Sequence, residues 1–267
     1  METTDKKLDS FKRQVTDNVI QITLDEDRWY YIQDKNIYLP SVTWILDSYP
    51  KGIGYKKWLA NIGDWEQSQK IFQDAGERGG KVHNAIEALL YNKPLSFWAP
   101  MPEHDKFTIG EWQLVNYFVD WFKTYKPVTQ AIETTVFDID EKYAGTVDYI
   151  CLIDEGLLDG KKPTGKLVKC LIDWKTSGAI YETHKIQVAA YQNCLTDIDR
   201  IFILRLGSRH KSHYEFFEVT GIESLYKAFL ATKDIFIHEN GEPEPKFIDI
   251  PEILSLVEIA EVQDVEN

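Results

Sequence analysis

Between Val19 and Pro40 the chain alternates short apolar runs (VIQITL, RWYYI, IYLP) with polar breaks (DED, QDKN). This spacing predicts two or three short strands joined by tight turns and closed by the proline. SVTWILDSYP and YKKWLANIGDWEQSQKIFQDAGERGGKVHNAIEALLYN then carry helical spacing, punctuated by Gly63, Gly76 and the Gly79/Gly80 pair, so a helix is expected to restart near Gly80 and run to Tyr91. In TIGEWQLVNYFVDWFKTYKP, Phe118, Trp121, Phe122 and Tyr125 fall three, four or seven apart and predict a helix that buries an aromatic stripe. From Val128 the period drops to two. TQAIETTVFDID and YAGTVDYICLID read as a hairpin about the charged turn DEK, and LVKCLIDWK follows as a third strand after the turn EGLLDGKKPTGK. YETHKIQVAAYQNCLTD is helical, RIFILRLG and HYEFFEVTG form a second hairpin around SRHKS, and IESLYKAFLATKDIFIHE is a last amphipathic helix.

The order of helix, three strands, helix and further strands predicts an α/β fold, a central mixed sheet flanked by helices. It divides into a β-rich leader over residues 1–37, a main domain over 38–240 with a helical insertion near 103–126, and an acidic, Pro-punctuated tail over 241–267. Length and composition suit that picture: 267 residues with 43% hydrophobic side chains can bury a sizeable core. The net charge of −13 opposes a polyanionic partner at long range, so a nucleic-acid role needs locally grouped Lys and Arg or metal ions. Cys151, Cys170 and Cys194 form no CxxC pair and sit among apolar neighbours, as reduced core residues would. No apolar run approaches the roughly 20 residues that span a bilayer, and the polar start METTDKKLDS lacks a signal-peptide core. The expectation is a soluble, cytoplasmic protein without membrane association.

Candidate chemistry starts at CLIDWKTSG, residues 170–178. An acid two places before a lysine occurs at Asp5/Lys7, Asp140/Lys142, Asp159/Lys161, Asp173/Lys175 and Glu244/Lys246, but only Asp173/Lys175 ends an apolar run long enough to be a central strand. Strand alternation puts Asp173 and Lys175 on the same side and Trp174 on the other. Alone the pair reads more readily as a plain ion pair with no chemistry. Asp148 interrupts an apolar strand, where a buried carboxylate requires a cation or donors. If the strands are neighbours, Asp148 and Asp173 can converge on a hard divalent cation, with the Trp174 backbone carbonyl as a further oxygen ligand. Gly145 would admit a close approach. His83 and Glu87 share a helix face, as do Gln187 and Tyr191, and each pair taken singly reads as ordinary helix surface or packing.

Taken together, RGGKVH (78–83), Glu133 in AIETTV, GTVD (145–148), DWK (173–175) and QVAAY (187–191) resemble the PD-(D/E)XK nuclease superfamily, and specifically its RecB-like exonuclease branch. YLPSVTWIL is similar to the segment that often precedes the RG-x-x-x-H helix in that group, and the resemblance spans roughly Tyr38 to Leu206. It implies a restriction-endonuclease-like αβββαβ core. Asp148 and Asp173 would bind catalytic Mg²⁺, which Mn²⁺ can replace, and Lys175 would be the catalytic lysine. His83 would reach the metal from the first helix. Gln187 and Tyr191 would arrange the site and the nucleic-acid backbone, Glu133 would be an accessory acid, and Arg78 would contact phosphate. The implied activity is a deoxyribonuclease acting from free DNA ends in recombination, repair or replication, on single strands threaded past stacking aromatics, for which Trp44, Trp58 and Trp65 are candidates that read more readily as core residues. Digestion of duplex ends is the neighbouring alternative, and a non-catalytic nucleic-acid-binding module or an acidic scaffold are the alternatives of another class. Three scattered cysteines do not make the four-cysteine pattern of the branches that carry an iron–sulfur cluster, so no cluster is expected. No GxxxxGK[ST] loop is present to power a helicase. Protein partners stay open.

Overall fold

A computed structural model describes residues 12–24, 27–99, 106–241 and 245. Four antiparallel strands come first: β1 (Lys12–Thr16), β2 (Val19–Leu24), β3 (Asp27–Ile32) and β4 (Ile37–Pro40), neighbours in that order. The apolar alternation anticipates the last three. β1, with the sequence KRQVT, is an addition, since a largely exposed edge strand leaves no apolar period to read. The expected leader boundary after residue 37 falls inside β4.

Three helices follow: α1 (Val42–Asp47), α2 (Ile53–Ile62) and α3 (Trp65–Leu90). The last is one continuous 26-residue helix that runs through Gly76, Gly79 and Gly80 instead of restarting there. Each glycine weakens a helix interior by about 1 kcal/mol. The Asp64 cap on the Gln67 N–H and the burial of Val82, Ala85 and Ile86 carry the helix across them. α4 (Ile109–Tyr125) occupies the region expected as a helical insertion, starts at a Thr108/Glu111 capping box, and buries Phe118 and Trp121 against the sheet as the aromatic stripe predicts.

The second sheet is mixed, as expected. β5 (Val128–Asp138), β6 (Tyr143–Asp154), β7 (Leu167–Lys175), β8 (Arg200–Leu206) and β9 (Tyr214–Glu218) lie in that order, with only the β7/β8 pair parallel. A one-turn helix, α5 (Glu155–Leu158), sits in the β6–β7 turn. The parallel crossover is α6 (Glu182–Asn193), and α7 (Ile222–Asn240) closes the described chain. β7 is buried on both faces, which explains its near-continuous apolar run. Leu171 joins a core with α1, α6 and α7, while Cys170, Ile172 and Trp174 join a second core with α3 and α4. The N-terminal sheet packs Tyr30, Ile32 and Leu39 against Ala144 of β6, and the Tyr30 hydroxyl lies 2.8 Å from Thr146 Oγ1. It is thereby fixed beside Asp148. No described helix is long and apolar enough to cross a membrane. The tail beyond Gly241, apart from Pro245, lies outside the described residues, as do the Asp5/Lys7 and Glu244/Lys246 pairs.

Candidate active site

Strand pairing creates the site by stopping. β6 and β7 pair from Asp154/Leu167 to Tyr149/Ile172 and no further, whereas β7 continues along β8 to Lys175/Arg205. The next residues, Asp148 and Asp173, therefore face each other where the sheet splits. The Trp174 N–H has no ladder acceptor on β6 and donates instead to Asp148 Oδ2 at 2.9 Å. Asp173 lies on the α6 side of β7 and is fully buried, with its Oδ2 only 2.7 Å from Lys175 Nζ. Lys175 is thus the partner of Oδ2, an ion pair at hydrogen-bond distance. Gln187, on α6, donates to both Asp173 Oδ1 (3.2 Å) and the Tyr191 hydroxyl (2.9 Å). The Tyr191 oxygen is the acceptor in that bond, which leaves its own hydrogen free to donate.

His83 on α3 and Glu133 on β5 complete the group. His83 Nδ1 is 3.9 Å from Asp148 Oδ1, and one ligand atom from each of His83, Glu133 and Asp148 falls within 4.8 Å of the others. Glu133 reaches inward because its backbone is left-handed, φ 48°, in the middle of a strand. A non-glycine residue there carries local strain of about 1–3 kcal/mol, and such strain collects at functional sites. A cavity of about 260 Å³ opens above these residues, lined among others by His83, Glu133, Asp148, Lys175, Gln187 and Tyr191. Asp173 lies beneath it, reached through Lys175 and Gln187.

No known family model matches the chain, and no curated protein matches it.

The electrostatics state what the cluster lacks. Three carboxyls, Glu133, Asp148 and Asp173, surround the single ammonium of Lys175, and all three are held above their ordinary values, Glu133 at about 8. Burial pushes the Asp173 carboxyl up to about 6, against the pull of Lys175 and with the help of Asp148. Burial likewise raises Asp148, opposed by Lys175 and the Trp174 N–H. Glu133 is raised by burial and by the Asp148 and Glu87 carboxylates, with Arg13 opposing. Burial works against the charge on Lys175, but Asp173 and Asp148 outweigh it and hold the amine protonated. Burial and Lys175 lower His83, which keeps the ring neutral at pH 7, and its contact with Asp148 is therefore not an ion pair. Burial keeps the Tyr191 phenol protonated. A neutral imidazole and two converging carboxyls whose ionisation a cation would favour suit a divalent cation.

Gly145 is where a close approach is used. A Cβ there would sit 2.3 Å from Tyr191 Cε1, so the edge of the phenol ring packs against the bare backbone. Gly145→Ala is expected to cost about 1–3 kcal/mol of stability and to push Tyr191 off Gln187. Thermal denaturation checks the first effect, and an unchanged melting temperature would contradict it.

Of the residues singled out from sequence, His83, Glu133, Asp148, Asp173, Trp174, Lys175, Gln187 and Tyr191 gather here, and the Trp174 carbonyl faces the His83 ring. Arg78 does not join them: it is exposed on α3, off the cavity lining. Trp44 packs edge-on against Trp29 and Phe236 in the core, Trp58 clusters with Tyr55 and Phe72 between α2 and α3, and Trp65 is exposed, so none of the three lines the cavity. Sequence reasoning missed Arg13, Gln21, Arg28 and Tyr30, which the N-terminal sheet contributes to the lining. Their segment carries no motif, and only a three-dimensional docking of β1–β3 on β6 reveals them.

Proposed function

We propose that this chain is a metal-dependent deoxyribonuclease that hydrolyses phosphodiester bonds from free DNA ends and prefers single strands. The observation that carries it is the meeting of His83, Glu133, Asp148, Asp173 and Lys175 where β6 and β7 part. His83, Glu133 and Asp148 would hold the metal, with Asp173 Oδ2 and the Trp174 carbonyl as further oxygen donors. Mg²⁺ or Mn²⁺, when bound, supplies a water of lowered pKa and neutralises charge on the scissile phosphate.

The protein's own groups do the rest. Lys175, held charged by Asp173, orients the attacking water and stabilises the extra negative charge of the pentacovalent transition state. Gln187 fixes Asp173 and Tyr191 together, and Tyr191 offers its proton to a phosphate oxygen. The preference for single strands is supported by the cavity, which at about 260 Å³ is smaller than ordinary ligand pockets and is walled by a second sheet. A single strand, whose bases can splay away from the scissile phosphate, suits so narrow a space better than a stacked duplex.

The test is incubation with linear and closed-circular DNA, single- and double-stranded, with Mg²⁺ or Mn²⁺ and with EDTA. Linear single strands should be degraded only with metal, and circles should survive. Cleavage of circles would end the exonuclease reading, faster loss of duplex ends would reverse the strand preference, and intact DNA in every arm would end the nuclease reading.

A further inference from the structure

The chain carries 43 acidic against 30 basic residues, yet two arginines beside the acidic cavity stand free of carboxylates. Arg13 on β1 and Arg28 on β3 both line the cavity and are exposed, and neither makes an ion pair or hydrogen bond among the described residues. Arg200 pairs with Glu218 and Asp159, and Arg205 with Glu215, while the other arginines unpaired among the described residues, Arg78 and Arg209, lie off the cavity lining. We propose that Arg13 and Arg28 form a phosphate clamp in which the N-terminal sheet grips the single strand on either side of the phosphodiester being cut. This rests on the nuclease reading above and adds a substrate-binding element that none of the motifs contains.

Register puts the two guanidinium groups on one surface. Arg13 pairs with Gln21 and Gln21 with Tyr30, so these three form a row across β1, β2 and β3. Arg28 is two residues from Tyr30 on the same strand and therefore faces the same way. The row is rigid. Tyr30 is 1% exposed, its hydroxyl accepts from Gln21 Nε2 at 3.0 Å, and it meets Thr146 Oγ1 at 2.8 Å, two residues from Asp148. The wall is thus bolted to the strand that bears a candidate metal ligand, and its distance from the floor is set by the fold. Arg13 is near enough for its charge to be felt by Glu133, yet not within ion-pair distance, which leaves its donors for a ligand between the two.

The chemistry matches. A guanidinium offers planar, paired N–H donors that suit a phosphate's oxygens, and the charge is permanent. A strand approaching an acidic chain of net charge −13 meets repulsion at long range, and two fixed cations at the cavity mouth offset it there. The floor handles the scissile phosphate, and the arginines take its neighbours, so the clamp acts on binding and register rather than on the chemical step.

The experiment compares wild type, the double variant R13Q/R28Q and the conservative R13K/R28K in degradation of linear single-stranded DNA over a range of salt concentrations. For R13Q/R28Q, KM should rise about 10-fold or more while kcat stays within about twofold. The slope of log KM against log salt should flatten by about 1.4, at about 0.7 per lost phosphate contact on a single strand. R13K/R28K should restore the slope, because charge is kept, but only part of the affinity, because the paired donors are lost. Both side chains are exposed, so melting temperatures should match wild type, and a variant that melts early is replaced by the single substitutions. An unchanged KM and slope in an enzyme that still cuts would overturn the clamp and leave the nuclease reading intact. A shifted Mn²⁺ requirement with an unchanged slope would assign Arg13 to balancing Glu133, and would also overturn it. Wild type that degrades no DNA would bring down both.

Discussion

Lys175→Ala is expected to slow DNA cleavage about 10²- to 10³-fold while KM for DNA changes little. Lys175 Nζ sits 2.7 Å from Asp173 and lines the cavity, where a cation can meet both an attacking water and a phosphate oxygen. Its charge is kept by the two aspartates against the effect of burial, so the group works as a fixed positive end and not as a proton donor that cycles. Removing it takes away an interaction that strengthens as negative charge builds up in the transition state, and such a loss appears in kcat. The fold survives because Asp173, already raised to about 6, takes up a proton once its partner is gone. Single-turnover cleavage beside far-ultraviolet circular dichroism reads both quantities. Full-speed cleavage by the folded variant would remove Lys175 from the mechanism.

Asp148→Asn is expected to abolish cleavage, weaken metal binding by at least about 100-fold, and make the metal-free protein more stable at neutral pH. The buried carboxyl of Asp148 is raised above its ordinary value of 3.8 chiefly by desolvation. A carboxyl whose pKa is higher in the folded chain than in the unfolded one holds its proton more tightly when folded. Its contribution to stability is therefore present below the unfolded value and is lost as pH rises through the folded value. Wild type without metal loses this stability between mildly acid and neutral pH, and the asparagine does not. An amide keeps the local bonding, since its oxygen can still accept from the Trp174 N–H and its NH₂ can donate to the neutral His83 Nδ1. The difference in melting temperature between variant and wild type should be near zero at pH 4 and favour the variant at pH 7. The gain at pH 7 is on the order of 1 kcal/mol or more, as each unit of pKa shift is worth about 1.4 kcal/mol. A variant less stable than wild type at pH 7 would mean that the carboxylate is compensated without a metal.

Much of this was legible before any coordinates. The β-rich runs of β5, β6 and β7 and the break of apolar pattern at Asp148 mark residues that belong to a sheet yet cannot be buried unpartnered. The mixed sheet with helices on both faces follows from the order of periods. What stayed hidden has physical causes. β1 is an exposed edge whose polarity imitates a loop. The run through Gly76, Gly79 and Gly80 is decided by packing downstream in α3, which propensity does not contain. The part played by Glu133 depends on a left-handed backbone at φ 48°, a feature no spacing reveals. The cavity wall of Arg13 and Arg28 depends on one sheet docking on another through Tyr30 and Thr146, a contact 116 residues apart in the chain.

Everything rests on the claim that the acids of β5, β6 and β7 hold a divalent cation together with His83. Calorimetric titration of Mn²⁺ into metal-free wild type and into Asp148→Asn, with no DNA present, addresses it without reference to catalysis. Saturable binding by wild type that is lost in Asp148→Asn is the expected result. Equal heats from the two proteins, or none from wild type, would contradict it.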